Sequence, residues 1–108
     1  MRINEYQDKT HTTAMYPADS AMSYLALGLT GEAGEIADKV KKVIRDDGSL
    51  LLPEKRKDLA KELGDLMWYT AQFASFLGYG LEEIAEMNLQ KLNDRKNRNQ
   101  LGGSGDDR

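Results

Sequence analysis

Two long segments of the chain each carry apolar residues along one helical stripe, and this periodicity constrains the fold more than any other feature. At about 100° of rotation per residue, the spacing in both segments matches an amphipathic helix. The first stripe consists of Leu29, Ile36, Val40 and Val43, and the second of Leu59, Leu66, Thr70, Phe73 and Leu77. No stretch alternates apolar and polar residues long enough to indicate a strand. The sequence therefore predicts an all-α chain.

Proline, glycine and capping residues divide the chain into four predicted helices. These run from Ile3 to about Thr13, from a cap at Ser20 to about Arg45, from about Glu54 to Leu77, and from about Leu81 to about Gln100. Long helices with short connections are typical of antiparallel bundles. We therefore expect a four-helix, bundle-like domain over residues 1–100, followed by a Gly/Asp-rich tail over residues 101–108.

Composition excludes several classes of site and partner. The 108 residues include no cysteine and one histidine, His11, so thiolate sites, disulfides and multi-histidine metal centres are excluded. A net charge of −3 argues against stable nucleic-acid binding. The longest uncharged stretch, Leu66 to Leu81, is shorter than the roughly 20 apolar residues of a membrane span. With a charged N-terminal segment as well, the sequence predicts a cytoplasmic protein with no membrane partner.

Four carboxylates lie on or beside the two apolar stripes. Glu32 and Glu35 have i, i+3 spacing in the first, and Glu62 and Asp65 repeat it in the second, so two antiparallel helices would aim all four at one space. Desolvating even one ionised carboxylate costs several kcal/mol. Protonation, lysine pairing or bound cations would each relieve that cost. Hard oxygen ligands without histidine favour magnesium, manganese or calcium, and the Glu-x-x-His pairs of a di-iron bundle are absent.

A plainer interpretation is that these acids are solvated surface charges paired with Lys39, Lys42 or Lys61. Two pairs on two apolar stripes weigh against it. Glycines inside both helices also indicate close backbone approach to another helix or to a ligand, because each costs roughly 1 kcal/mol relative to alanine. They are Gly28, Gly31, Gly34 and Gly64.

Basic residues form two further clusters. Asn88, Lys91 and Arg95 share a face of the fourth helix with Ile84, which predicts phosphate binding, with a solvated basic face as the alternative. The cluster Lys39, Lys41 and Lys42 is interpreted as a solvated face, with triphosphate binding as its alternative.

Together these motifs resemble the MazG-type nucleoside triphosphate pyrophosphohydrolases of the all-α NTP pyrophosphatase superfamily. The resemblance rests on the order Gly31-Glu32-Ala33-Gly34-Glu35, a spacer, then Glu62-Leu63-Gly64-Asp65. It extends through Leu66–Tyr69 and through Asn88–Leu92 with Arg95, and covers about residues 20 to 100. Gly31 departs from the family pattern, which often has a glutamate there, and this puts the number of metal ions in doubt.

The resemblance implies Mg²⁺-dependent cleavage of (deoxy)nucleoside triphosphates between the α- and β-phosphates, giving a monophosphate and pyrophosphate in nucleotide-pool control. Glu32, Glu35, Glu62 and Asp65 would be the catalytic metal ligands, with Mn²⁺ as a substitute ion and with Glu32 or Glu35 orienting the water. Asn88, Lys91 and Arg95 would bind the substrate.

The sequence leaves open the role of the aromatic residues, the size of the oligomer and the choice between competing functions. Four aromatic residues suit either a nucleobase or the helical core: Tyr16, Tyr24, Trp68 and Tyr69. A homo-oligomer is expected, with a tetramer favoured over a dimer. The competing functions are a non-catalytic, metal-binding helical oligomeric regulator and a hydrolase of a modified nucleotide or an alarmone.

Overall fold

The fold consists of four α-helices and no strand, as the sequence predicts. The computed structural model describes residues 1–108. Its helices are α1 (Ile3–Thr10), α2 (Ala21–Asp46), α3 (Pro53–Leu77) and α4 (Leu81–Asn97). Short 3₁₀ turns at His11–Thr13 and Ala18–Ser20 connect α1 to α2, and α4 ends about one turn before the predicted end. No helix combines the length and the apolar content that crossing a membrane requires.

Local chemistry explains where α3 begins and where both long helices end. At the start of α2, the predicted cap residue Ser20 makes no side-chain capping hydrogen bond. Pro53 occupies the first position of α3, where its missing N–H has no intrahelical partner to lose. Gly78 closes α3 with a φ of 82°, which lets the Tyr79 amide donate to the Ala74 carbonyl at 2.9 Å. Gly48 also adopts a positive φ, of 60°, in the turn after α2. These positions match the predicted connections.

The long helices α2 and α3 form an antiparallel hairpin that dominates the packing of the chain. The Tyr69 ring of α3 lies directly against Gly28 of α2, where a Cβ atom would sit 2.6 Å from Tyr69 Cζ and closer still to two other ring atoms. By contrast, nothing lies within 4 Å of the Cβ positions of Gly31, Gly34 or Gly64. The close approach expected from the glycines therefore occurs at Gly28 within a single chain.

The short helix α1 ties the α3–α4 turn in place through Gln7, a buried polar residue. Gln7 Nε2 donates to Ser75 Oγ at 2.9 Å and to the Tyr79 carbonyl at 2.9 Å. Its Oε1 accepts a 2.7 Å hydrogen bond from the Leu81 amide at the start of α4. One side chain thus supplies partners to both sides of the turn.

A single chain leaves much of its apolar surface uncovered. Ten of the 108 residues are buried. The radius of gyration is 16.8 Å, whereas a globular domain of this length has about 13 Å. A cavity of about 570 Å³ lies between α3 and α4, and its lining includes Leu63, Met67 and Ile84. We call this cavity the apolar hollow.

Candidate active site

Three carboxylates converge in the middle of the α2–α3 hairpin. Glu32 from α2 meets Glu62 and Asp65 from α3, and one oxygen from each lies within 4.8 Å of the others. The Glu62 side chain is only 12% exposed, whereas Asp65 lies on the surface. We call these three residues the acid cluster. The antiparallel pairing of α2 and α3 produces it, because Glu32 on one helix faces Glu62 and Asp65 on the other.

The acid cluster carries more negative charge than its protein neighbours neutralise. Partial burial raises the pKa of Glu32 above its usual value, and a hydrogen bond with Glu62 and the charge of Asp65 raise it further. The one ammonium in contact is Lys39, whose Nζ lies 3.2 Å from Glu62 Oε1. That hydrogen bond raises the pKa of Lys39. One lysine against three carboxylates leaves a net negative site.

The donor set of the acid cluster fits a hard divalent cation. In an octahedral site with oxygens about 2.1 Å from Mg²⁺, neighbouring oxygens lie about 3 Å apart and opposite ones about 4.2 Å apart. The observed separations within 4.8 Å need only a small contraction to reach this geometry. A bound cation would also remove the repulsion that raises the pKa of Glu32.

Glu35, the fourth predicted acid, lies outside the acid cluster. It is exposed on α2, yet it is near enough for its charge to raise the pKa of Glu32. The structure thus brings together three of the four predicted carboxylates and leaves the fourth beside them.

An aromatic pocket of about 400 Å³ adjoins the acid cluster, and Glu32 and Asp65 belong to its wall. Its remaining lining consists of Thr13, Met15, Tyr16, Tyr24, Trp68 and Tyr69. Tyr16 and Tyr24 stack with ring centroids 5.3 Å apart, and Trp68 meets Tyr16 edge-on at 6.5 Å. All four aromatic residues noted in the sequence therefore gather at one end of the acid cluster.

Hydrogen bonds behind the pocket hold these rings in place. Tyr16 donates to Gln72 Oε1 at 2.7 Å, and Gln72 Nε2 donates to Thr10 Oγ1 at 2.8 Å. Trp68 Nε1 donates to Thr13 Oγ1 at 2.7 Å. Gln72 is buried, and its role could not be predicted from the sequence because a lone glutamine on a helix carries no signal of its partners.

A second, basic cavity lies on the other side of the acid cluster. The lysine pocket, of about 210 Å³, lies between α2 and α3 and is lined by Lys39, Lys42, Val43, Lys55, Asp58 and Leu59. Lys39 therefore contacts the acid cluster and lines this pocket as well. Lys55 is absent from the sequence-based candidates, because it is separated from the other lysines along the chain.

The predicted substrate-binding residues of α4 have other partners within this chain. Asn88 lines the apolar hollow, and Lys91 Nζ lies 3.1 Å from Asp106 Oδ1. Arg95 is 4% exposed and donates to the carbonyls of Gly105 and Asp106. The tail thus folds back onto α4. None of the three α4 residues lines the pockets beside the acid cluster.

Comparison with known proteins gives one family and one close relative. The family model described as the MazG nucleotide pyrophosphohydrolase domain matches residues 21–99. The Gene 37 protein of Mycobacterium phage L5 is 47% identical over 114 aligned residues, which cover 100% of both chains. No solved structure matches the chain. The family match includes every residue of the acid cluster.

Proposed function

We propose a specific substrate and reaction for this chain, which belongs to the MazG nucleotide pyrophosphohydrolase family. The substrate is a nucleoside or deoxynucleoside triphosphate, and the reaction is hydrolysis between its α- and β-phosphates. The oxygen of one water forms a bond to phosphorus while the bridging P–O bond breaks. The products are a nucleoside monophosphate and pyrophosphate, with release of the water's proton. This activity would serve nucleotide-pool control.

The observation that carries the proposal is the junction of the acid cluster with the aromatic pocket. A nucleotide joins a polyanionic chain, which requires cations, to a flat base, which stacks on aromatic rings. Glu32 and Asp65 belong to both features. A base among Tyr24 and Trp68 would therefore bring its phosphates towards the carboxylates.

Glu32, Glu62 and Asp65 would hold Mg²⁺, or Mn²⁺ in its place. A bound ion would neutralise phosphate charge and lower the pKa of a coordinated water. Glu35 lies outside the acid cluster, so its carboxylate is free to complete the ligand set or to accept the water's proton. Lys39 holds Glu62 in place on the side away from the aromatic pocket.

We further propose that Asn88, Lys91 and Arg95 bind phosphate in the site of a neighbouring copy. Two observations support an oligomer, for which we propose a tetramer in preference to a dimer. The core of one chain is small, and the apolar hollow beside α4 is uncovered. A second copy packed on this hollow would bring the α4 cations to another chain's hairpin. Displacement of Asp106 would then free Lys91 for the substrate.

Pyrophosphate release from a panel of dNTPs and NTPs tests the reaction. We expect release with Mg²⁺ or Mn²⁺, none with EDTA, and none from Glu62→Gln despite an unchanged helical CD spectrum. The ranking across bases would define the substrate preference.

Other outcomes favour the competing functions. Stabilisation by Mg²⁺ without any release would favour a metal-binding regulator. Release only from a modified nucleotide or an alarmone would favour the other hydrolase. Release that persists in EDTA would refute the metal-dependent reaction.

A further inference from the structure

We infer that the lysine pocket binds the β- and γ-phosphates of the substrate and holds the pyrophosphate product. This inference rests on the proposed function, and it assigns a role to Lys42 and Lys55, two side chains outside the acid cluster.

The aromatic pocket, the acid cluster and the lysine pocket follow one another along α2. Tyr24, Glu32 and Lys39 mark the three features in that order. At a rise of about 1.5 Å per residue, the steps between them are about 12 Å and about 10 Å. The facing helix α3 repeats the order in reverse, with Trp68, Asp65 and Lys55. A nucleoside triphosphate has the same linear sequence of parts: base, sugar, α-phosphate, then β- and γ-phosphates.

The charge of the lysine pocket suits an anion. Three lysines line it, and Asp58 is the one acid in its wall. Lys42 is bonded to Asp38 at 2.8 Å, whereas Lys55 forms no ion pair. Lysine ammonium groups bind phosphate as point charges. The wall of the cavity, between α2 and α3, therefore carries three ammonium groups and one carboxylate, and Lys55 is the ammonium without an ion pair.

Lys39 connects the two charged features. Its Nζ lies 3.2 Å from Glu62, and its side chain also lines the lysine pocket. A cation held by Glu62 would compete with this ammonium for the same carboxylate, which would free Lys39 to contact a phosphate in the lysine pocket. The α4 cations, in contrast, are bonded to the tail within one chain. The lysine pocket is thus the basic site that adjoins the acid cluster in this chain.

Lys55→Gln is the main test, with Lys57→Gln as its matched control. Lys57 is an exposed lysine of α3 that lies outside the cavity. We expect Lys55→Gln to raise KM for the triphosphate and Ki for pyrophosphate roughly tenfold, the loss of one charge-assisted contact. Inhibition by the nucleoside monophosphate should be unchanged, because that product has no β- or γ-phosphate. Lys57→Gln should leave all three constants unchanged.

Two results would overturn the inference: equal effects of the Lys55 and Lys57 variants, or equal weakening of monophosphate and triphosphate binding in Lys55→Gln. Calorimetric titration of the protein with pyrophosphate, in the presence of Mg²⁺, separates this inference from the proposed function. If no nucleotide is hydrolysed but Lys55→Gln still weakens pyrophosphate binding, the reaction is wrong and the lysine pocket stands. If the unaltered protein binds no pyrophosphate, the lysine pocket assignment is wrong.

Discussion

Replacing Gly28 with alanine tests the contact that sets the spacing of the hairpin. The new Cβ would lie 2.6 Å from Tyr69 Cζ and closer to two further ring atoms. The ring has little room to retreat, since Trp68 meets it edge-on at 5.0 Å and Tyr24 packs on it at 6.4 Å. Overpacking of this kind costs about 1–3 kcal/mol, and alanine returns about 1 kcal/mol of helix propensity. We therefore expect a net loss of about 1 kcal/mol.

Thermal and urea unfolding measure this loss. About 1 kcal/mol corresponds to a Tm lowered by about 4–8 °C in a domain of this size. Gly31→Ala is the matched control, because nothing lies within 4 Å of its Cβ position and only the gain in helix propensity applies. Tyr69→Leu removes the ring that clashes with the new Cβ. The double variant Gly28→Ala/Tyr69→Leu should therefore be at least as stable as Tyr69→Leu alone. If Gly28→Ala melts at or above Gly31→Ala, the assigned packing of Tyr69 is wrong.

Three further predictions concern the acid cluster and α1. Mg²⁺ should raise the Tm of the unaltered protein but not of Glu62→Gln, since the variant loses a charged ligand; an equal rise in both would place the ion elsewhere. The pKa of Glu32 is raised above its ordinary value of 4.5. Between these two pKa values, the metal-free folded protein holds a proton on Glu32 that the unfolded chain has released. The free energy of unfolding should therefore fall as pH rises from 4.5 through the raised value. Urea unfolding midpoints measured across this pH range should show the fall in stability, and Mg²⁺ should suppress it. The same fall in Glu32→Gln would contradict the assignment to Glu32. Gln7→Met should lower the free energy of unfolding by about 1–3 kcal/mol, because it orphans the buried Leu81 amide; a loss no larger than that of the exposed Asp8→Asn would refute this role.

Helix periodicity made the fold and most of the acid cluster predictable. Spacing along one helix fixes which residues share a face, so Glu62 and Asp65 were predictable partners, as was their approach to Glu32 across the hairpin. It does not fix how far each helix is rotated about its own axis. Glu35 sits at the edge of the apolar stripe, and that rotation leaves it exposed rather than inside the acid cluster.

Buried polar partners were not predictable because they depend on the path of distant segments. Gln7 and Gln72 are polar residues in polar or mixed surroundings along the chain, and their partners are 56 to 74 residues away. Arg95, predicted to bind phosphate, is buried. Its partners, however, are carbonyls of the tail, whose return onto α4 leaves no periodic signal.

The small core and the unbalanced acid cluster together link the stability of this chain to what it binds. Domains of ordinary size are stable by about 5–15 kcal/mol, and a chain with ten buried residues has few internal contacts to supply this. A ligand at 100 times its Kd adds about 2.7 kcal/mol to the folded state. Relief of the repulsion among Glu32, Glu62 and Asp65 would lower the Kd of a bound cation, so a given cation concentration would stabilise the folded state more. We therefore expect the stability of the folded chain to respond to divalent metal, to nucleotide and to protein concentration.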